Sequence, residues 1–323
     1  MNDTKRWPAL AGERLAQAPQ SGKIIKIYTG LTLGLALLVS LVVYALDLSI
    51  AQTSGLGDMG KRTFLSTLQT LLPMGQSLFL LCLDLGFVAA MLRVGRGQFV
   101  SPQTLRLGFD RFWVLVRATL LQAGVYVLVC VPVAYLALAI AMLTPLGDGM
   151  VEAMIPLMRQ TTVTADQATQ MMEAMGPCIA VCCCAMAIAM WLLSYRYRMV
   201  NYILIDKPGT GALAAMGESR RMMKGNHRKL LRLDLRLWWY YAALALCTAV
   251  GYLDQILPGL GISLPLSSEA AYYGASILSM LLLSLTYLSL RGRVEVAYSF
   301  AYDALKPKEV PTQGVVLGNI FQM

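Results

Sequence analysis

The sequence predicts an all-α fold: a polytopic membrane protein with six transmembrane helices and amphipathic interfacial helices on the cytoplasmic side. Three observations predict it. Six apolar stretches each approach the roughly 20 residues that a helix needs to cross a hydrocarbon core about 30 Å thick. The basic residues between them alternate in density from one loop to the next. The composition, 57% hydrophobic and 14% charged over 323 residues, lies far from that of a soluble domain.

The spans are expected at 27–46, 71–91, 119–140, 178–197, 237–257 and 270–290. They divide the chain into a basic N-terminal arm (1–26), a six-helix membrane domain (27–305) and a tail (306–323). The tail has two prolines, two lysines and no strong period, which predicts disorder. The first span has a rival reading as a signal peptide, with Ser49-Ile50-Ala51 as the cleavage site. The long basic arm and the nearly full spanning length favour a retained helix.

All but three of the 27 Lys and Arg residues fall in the N-terminal arm, the second and fourth loops and the segment after the last span. The exceptions, Lys61, Arg62 and Arg159, lie in the first and third loops. The opposite loops are acidic, with Asp47, Asp58, Asp148, Glu152, Asp166, Glu173, Asp254 and Glu269. Positive-inside then places both termini in the cytoplasm. The formal net charge of +9 follows from this asymmetry. The basic residues hug span ends, which points to the anionic inner leaflet as partner, at about 1 kcal/mol per residue near the surface, and away from nucleic acid.

Each odd-numbered span is preceded by a basic, partly amphipathic segment. Before the first it is 7–25. Before the third, Ser101-Pro102 starts a helix with Pro at its first position, and Leu105, Phe109, Phe112, Trp113 and Val116 form one stripe. Before the fifth, Thr210 can cap a helix that Gly225-Asn226 ends with a left-handed stop. Trp238, Trp239, Tyr240 and Tyr241 are expected at the inner interface, and Tyr252, Tyr272 and Tyr273 at the outer one.

No cofactor or metal site is expected. The seven cysteines all lie inside spans, and the single histidine, His227, lies in a cytoplasmic loop. Cys178 and Cys182 share a helix face, which suits close helix packing better than metal or redox chemistry. In the third loop Met150, Met154 and Met158 recur every four residues, and Met171, Met172 and Met175 follow. Thioethers can bind Cu(I), but a surface helix explains the spacing without a metal, and Thr164 with Gln167 forms a capping box for a second helix. No P-loop, nucleophile elbow, H-E-x-x-H or dinucleotide fingerprint is present.

Asp84 is the one charge well inside a span. A carboxylate there costs several kcal/mol unless it is protonated, paired or hydrated. Two readings stand: a proton or cation relay in a transporter, or a structural group paired with a base such as Arg117 or Arg196 or hydrogen-bonded between helices.

The stretch Tyr195-Arg196-Tyr197-Arg198 runs through Asp206-Lys207-Pro208 and Ala212 to Glu218-Ser219-Arg220-Arg221-Met222-Met223-Lys224-Gly225-Asn226. It resembles the signature of a bacterial integral membrane family, domain of unknown function number 975: a tyrosine-rich span end, Asp-x-Pro, then Ser-(Lys/Arg)-x-Met-Lys-Gly-Asn before an apolar span. The segment from Arg93 to Gly97, with Phe109 and Phe112, is similar to an earlier loop of that family. Leu233-Asp234-Leu235-Arg236 departs from it by placing charge where the family has an aromatic, glycine-containing start. The resemblance implies a six-helix membrane protein and no reaction.

Read physically, Asp206 and Pro208 make a turn that ends the fourth span, because proline disfavours helix at the preceding residue. Gly225 and Asn226 reverse the chain. Arg220, Arg221, Lys224, Arg228, Lys229 and Arg232 then form a basic cluster at headgroup level, serving as a topology signal or as a site for anionic lipid. The expectation is a non-enzymatic inner-membrane protein that binds anionic lipid and organises or regulates an envelope process. The alternatives are a small-solute or headgroup transporter using Asp84, and a membrane enzyme.

Overall fold

The computed structural model describes residues 3–53, 58–145, 147–148, 151, 165–259 and 268–306. Met150, Met154, Met158 and Thr164, and the tail beyond Lys306, lie outside the described residues, as do the side chains of Gln167, Met171 and Met172. Among the described residues the regular structure is helical throughout. The helices are α1 (Asp3–Gln17), α2 (Pro19–Gln52), α3 (Met59–Gly95), α4 (Leu107–Asp110), α5 (Phe112–Met142), α6 (Ala165–Tyr197), α7 (Val200–Asp206), α8 (Ala212–Met223), α9 (His227–Arg236), α10 (Trp238–Gly251), α11 (Leu253–Gly259), α12 (Ser268–Thr286) and α13 (Gly292–Leu305). A 3-10 turn, Pro102–Arg106, precedes α4, and a π-helical turn, Tyr287–Arg291, joins α12 to α13.

Five helical segments are long and apolar enough to cross a membrane: Pro19–Gln52, Met59–Gly95, Phe112–Met142, Met175–Asp206 and Tyr272–Leu305. The chain is thus a multi-pass membrane protein by length and composition. The expected span at 237–257 is not one helix. α10 has 14 residues, a rise of about 21 Å, and it stops at Gly251. The Tyr252 N–H turns back to Ala249 O, and α11 starts at Leu253.

The chain forms two compact units. The first comprises the described residues of 1–33, 90–102 and 222–323. In it α1 packs on α13, burying Trp7 and Ala11. Gly292, at the start of α13, faces α2, where a Cβ would lie 2.6 Å from Ile25 Cδ1. Arg96 and Asp303 form a salt bridge at 2.7 Å that ties the end of α3 to α13. α10 lies along α12, where Ser279 Oγ donates to the Cys247 carbonyl at 2.7 Å.

The second unit comprises 34–89 and 103–221. Its α5 and α6 are antiparallel partners across a short-residue seam: Cys178 packs on Ala141 and Leu138, and Cys182 Sγ points at the Ala134 carbonyl at 3.7 Å. The cysteines act here as small packing residues. The segment expected as one amphipathic helix after Pro102 is instead the 3-10 turn, α4 and the start of α5, broken at Arg111. This segment makes close backbone contact with α3. A Cβ on Gly108 would lie 1.8 Å from the Cys82 carbonyl oxygen, and one on Gly86 would lie 2.2 Å from that of Leu105. The absence of a side chain at both glycines is what lets the two backbones come this close. Cys82, Leu85 and Leu115 form the adjoining core, with Phe112 and Ile205 against it.

Candidate functional site

The fourth span ends in two steps. α6 stops at Tyr197, and α7 continues to Asp206 after a turn at Arg198 and Met199. Ser219, fully buried on α8, fastens that turn: its Oγ donates to the Arg196 carbonyl at 3.0 Å and accepts the Met199 N–H at 3.3 Å. Arg111 donates to the Leu204 carbonyl, which ties the start of α5 to α7. Lys207 Nζ meets Glu218 Oε1 at 2.6 Å, closing the loop that holds Pro208. Asp206 is half-buried and engaged in a polar contact, and Pro208 is exposed. Ser219 enters the sequence reading only as the serine of the family signature, and its role in fastening the turn comes from its burial and hydrogen bonds.

α8 buries Met222 and Met223 and leaves Arg220 and Arg221 in the open. Gly225 then takes φ +80°, a left-handed turn suited to glycine. Asn226 Nδ2 donates to the Met222 carbonyl at 2.8 Å and closes the turn. α9 is amphipathic. Leu230 and Leu233 are 0% exposed, whereas Arg228, Lys229 and Arg232 face outward with Lys224 before them. Arg228 and Arg232 are one helical turn apart and share a face. Arg220 and Arg221 belong to the second unit, and Lys224, Arg228, Lys229 and Arg232 to the first. Among the described residues, none of the six has a side-chain hydrogen bond or ion pair.

Asp84 sits on α3 between the buried Leu83 and Leu85, directly beside the Gly86–Leu105 contact. It is half-buried and has a polar interaction, so it is not a bare carboxylate. From Leu80 to Gly95 only Arg93 is exposed on α3, whereas Leu71, Met74, Leu78 and Phe79 are open. The covered half of the helix carries Asp84.

The first unit holds a polar aromatic cluster that the hydropathy pattern did not reveal. The Arg291 guanidinium lies 4.7 Å from the Tyr28 ring centre and 4.5 Å from that of Tyr287, and it donates to the Tyr28 hydroxyl. Asp234 accepts hydrogen bonds from Tyr298 and Tyr241. Of the aromatic run expected at the inner interface, Trp238 is 65% exposed but Tyr240 is buried and Tyr241 turns to Asp234. The charge that departs from the family pattern therefore has an internal partner set.

No curated protein and no solved structure matches the chain. A family model described as a protein of unknown function, DUF975, matches residues 23–309. That range takes in all the membrane-length helices from α2's first turns onward, the Ser219 turn and the exposed basic helix, and the chain belongs to the DUF975 family.

Proposed function

We propose that the protein crosses the cell membrane six times with both termini in the cytoplasm, that its exposed basic residues hold anionic lipid headgroups, and that from this anchorage it organises or regulates an envelope process without catalysing a reaction. The observation that carries the lipid reading is the charge balance around α8 and α9. Six basic side chains are exposed, while the two acids nearest in sequence are occupied elsewhere, Glu218 by Lys207 and Asp234 by Tyr298 and Tyr241. Among the described residues no acid pairs with any of the six. Each such group near an anionic surface contributes about 1 kcal/mol.

The six-fold crossing is supported from the first unit. α1 precedes the first membrane-length helix, α13 forms the C-terminal end of the last, Tyr272–Leu305, and the two pack together. That packing supports a common side for the two ends and hence an even number of crossings, with the interrupted pair α10 and α11 as the sixth in this proposal. The Arg96–Asp303 bridge supports the same side for the loop after α3.

The test is thermal stability in nanodiscs of phosphatidylglycerol and of phosphatidylcholine. The wild type is expected to melt higher in phosphatidylglycerol, and high salt should shrink the difference by screening. The Arg228→Gln/Lys229→Gln/Arg232→Gln variant should lose most of it. Equal melting of both proteins in both lipids would overturn the reading.

A further inference from the structure

We infer that a groove on the second unit seats one anionic diacyl phospholipid, with its phosphate on Arg117 and an acyl chain between α5 and the start of α8. This deepens the lipid reading above and rests on it for the source of the ligand, the surrounding bilayer. The groove encloses about 690 Å³, within the range of about 300–1,000 Å³ usual for small-ligand sites. Arg117, Leu120 and Leu121 line it from α5, and Gly211, Ala212 and Leu213 from the opposite wall. Every wall residue but one is aliphatic or glycine. That one is a guanidinium.

Three observations select the occupant. Arg117 is exposed and has no hydrogen-bond or ion-pair partner among the described residues, so its charge calls for an anion from outside. A planar guanidinium matches a phosphate bidentately. Beyond the groove α5 continues as an exposed apolar face with Val127, Leu128 and Val131 following Leu120 in the same helix. A chain lying on Leu120 and Leu121 thus runs on into hydrocarbon. Finally, Trp113 stands one turn before Arg117 and is 71% exposed, the placement of an interfacial aromatic. Headgroup level and acyl level are therefore set in order along one helix.

The wall opposite α5 offers a clean way to close the site. A Cβ on Gly211 would meet nothing within 4 Å, and no left-handed backbone is needed there. Leucine at this position should fill the groove without straining the fold. Ala214, also on the groove wall and exposed, gives a second plug.

The experiment is native mass spectrometry of the full chain after incubation with equal phosphatidylglycerol and phosphatidylcholine. The wild type is expected to retain one phosphatidylglycerol preferentially. Gly211→Leu and Ala214→Leu should each retain about tenfold less of either lipid, the effect of losing contact with about two methylene groups. Arg117→Gln should keep a lipid but lose the preference for phosphatidylglycerol. The Arg228→Gln/Lys229→Gln/Arg232→Gln variant should keep the tightly held lipid, whatever becomes of its salt-sensitive stabilisation. Wild-type retention by both plugged variants, with unchanged melting, would overturn the groove. Loss of the tight lipid in the triple variant alone would assign it to α9 and overturn the groove while leaving the surface reading intact. Loss in the plugged variants with no lipid-dependent stability change in the triple variant would uphold the groove and overturn the surface.

Discussion

Lys207 Nζ stands 2.6 Å from Glu218 Oε1, and Glu218 is the one acid between Lys207 and Leu233. The pair is half open to solvent, so its direct contribution to stability is small, about 0–1 kcal/mol. Its larger effect is to occupy the only carboxylate on α8. The neighbouring Arg220 and Arg221 keep their full charge.

Removing either partner should therefore have opposite effects on lipid response. Lys207→Gln releases the Glu218 carboxylate, which then offsets the positive surface, so the gain in melting temperature on moving from phosphatidylcholine to phosphatidylglycerol should shrink. Glu218→Gln removes the negative charge and frees Lys207, so the same gain should hold or grow. Melting curves of the two variants in both lipids measure it. An identical response in the two would detach this pair from lipid binding.

The glycines at the α3 crossing should be intolerant. A methyl group on Gly86 or Gly108 meets backbone oxygen, which cannot rotate away. Gly86→Ala and Gly108→Ala should each cost about 1–3 kcal/mol through overpacking. Gly75 on the same α3 meets nothing within 4 Å, so Gly75→Ala should be neutral or stabilise by about 0.5–1 kcal/mol. Denaturant unfolding of the three variants separates a packing requirement from a general preference for glycine.

That contrast shows where reading the sequence succeeds. Long apolar runs such as those of α2, α3 and α5 are legible because a bilayer dictates their length. The stop at Gly225 is legible because few residues accept its φ. The contact of Gly86 with Leu105 is not, since it joins residues distant in the chain that carry no local periodicity. Tyr240 and Tyr241 fail for a different reason. Hydropathy scores a tyrosine alike whether it faces headgroups or an internal Asp234. The break at Tyr252 was hidden because a span interrupted by one turn has the same composition as a continuous one. For the six basic residues, the sequence supplied the charge count, with Glu218 the one acid among them, but not that Lys207 occupies that acid.

The stacked Arg291 should behave as a unit with Tyr28 and Tyr287. Tyr28→Phe keeps the ring and removes the hydroxyl acceptor, at a cost of about 1 kcal/mol. Arg291→Lys keeps the charge but loses the planar stacking and should cost about 0.5–2 kcal/mol. In a double-mutant cycle the two changes should couple by about 0.5–3 kcal/mol. Additive losses would mean that the ring contacts and the hydrogen bond act separately.

Asp84 can be tested by the difference between an amide and an alkyl side chain. As a half-buried group with a polar contact it should tolerate Asp84→Asn, which preserves hydrogen bonding, with little change in melting. Asp84→Leu leaves its partner unsatisfied and should cost about 1–3 kcal/mol. If the carboxylate serves as a relay, Asp84→Asn would instead abolish a proton- or cation-coupled solute flux in proteoliposomes while leaving melting unchanged, so the two assays together separate a structural carboxylate from a transporting one.

Topology turns on α10 and α11. With 14 residues α10 falls short of the hydrocarbon thickness, and five crossings alone would put the two ends of the chain on opposite sides, against the packing of α1 on α13. The six-crossing proposal therefore predicts that α10 and α11 cross as a pair. Reporter fusions after residues 55, 160 and 262 should report the outside, and those after residues 100, 215 and 308 the inside. The fusion after 262 decides the matter. A cytoplasmic signal there would return α10 and α11 to the inner face and leave five crossings. It would also separate the N- and C-terminal arms, against the packing of Trp7 and Ala11 beside α13.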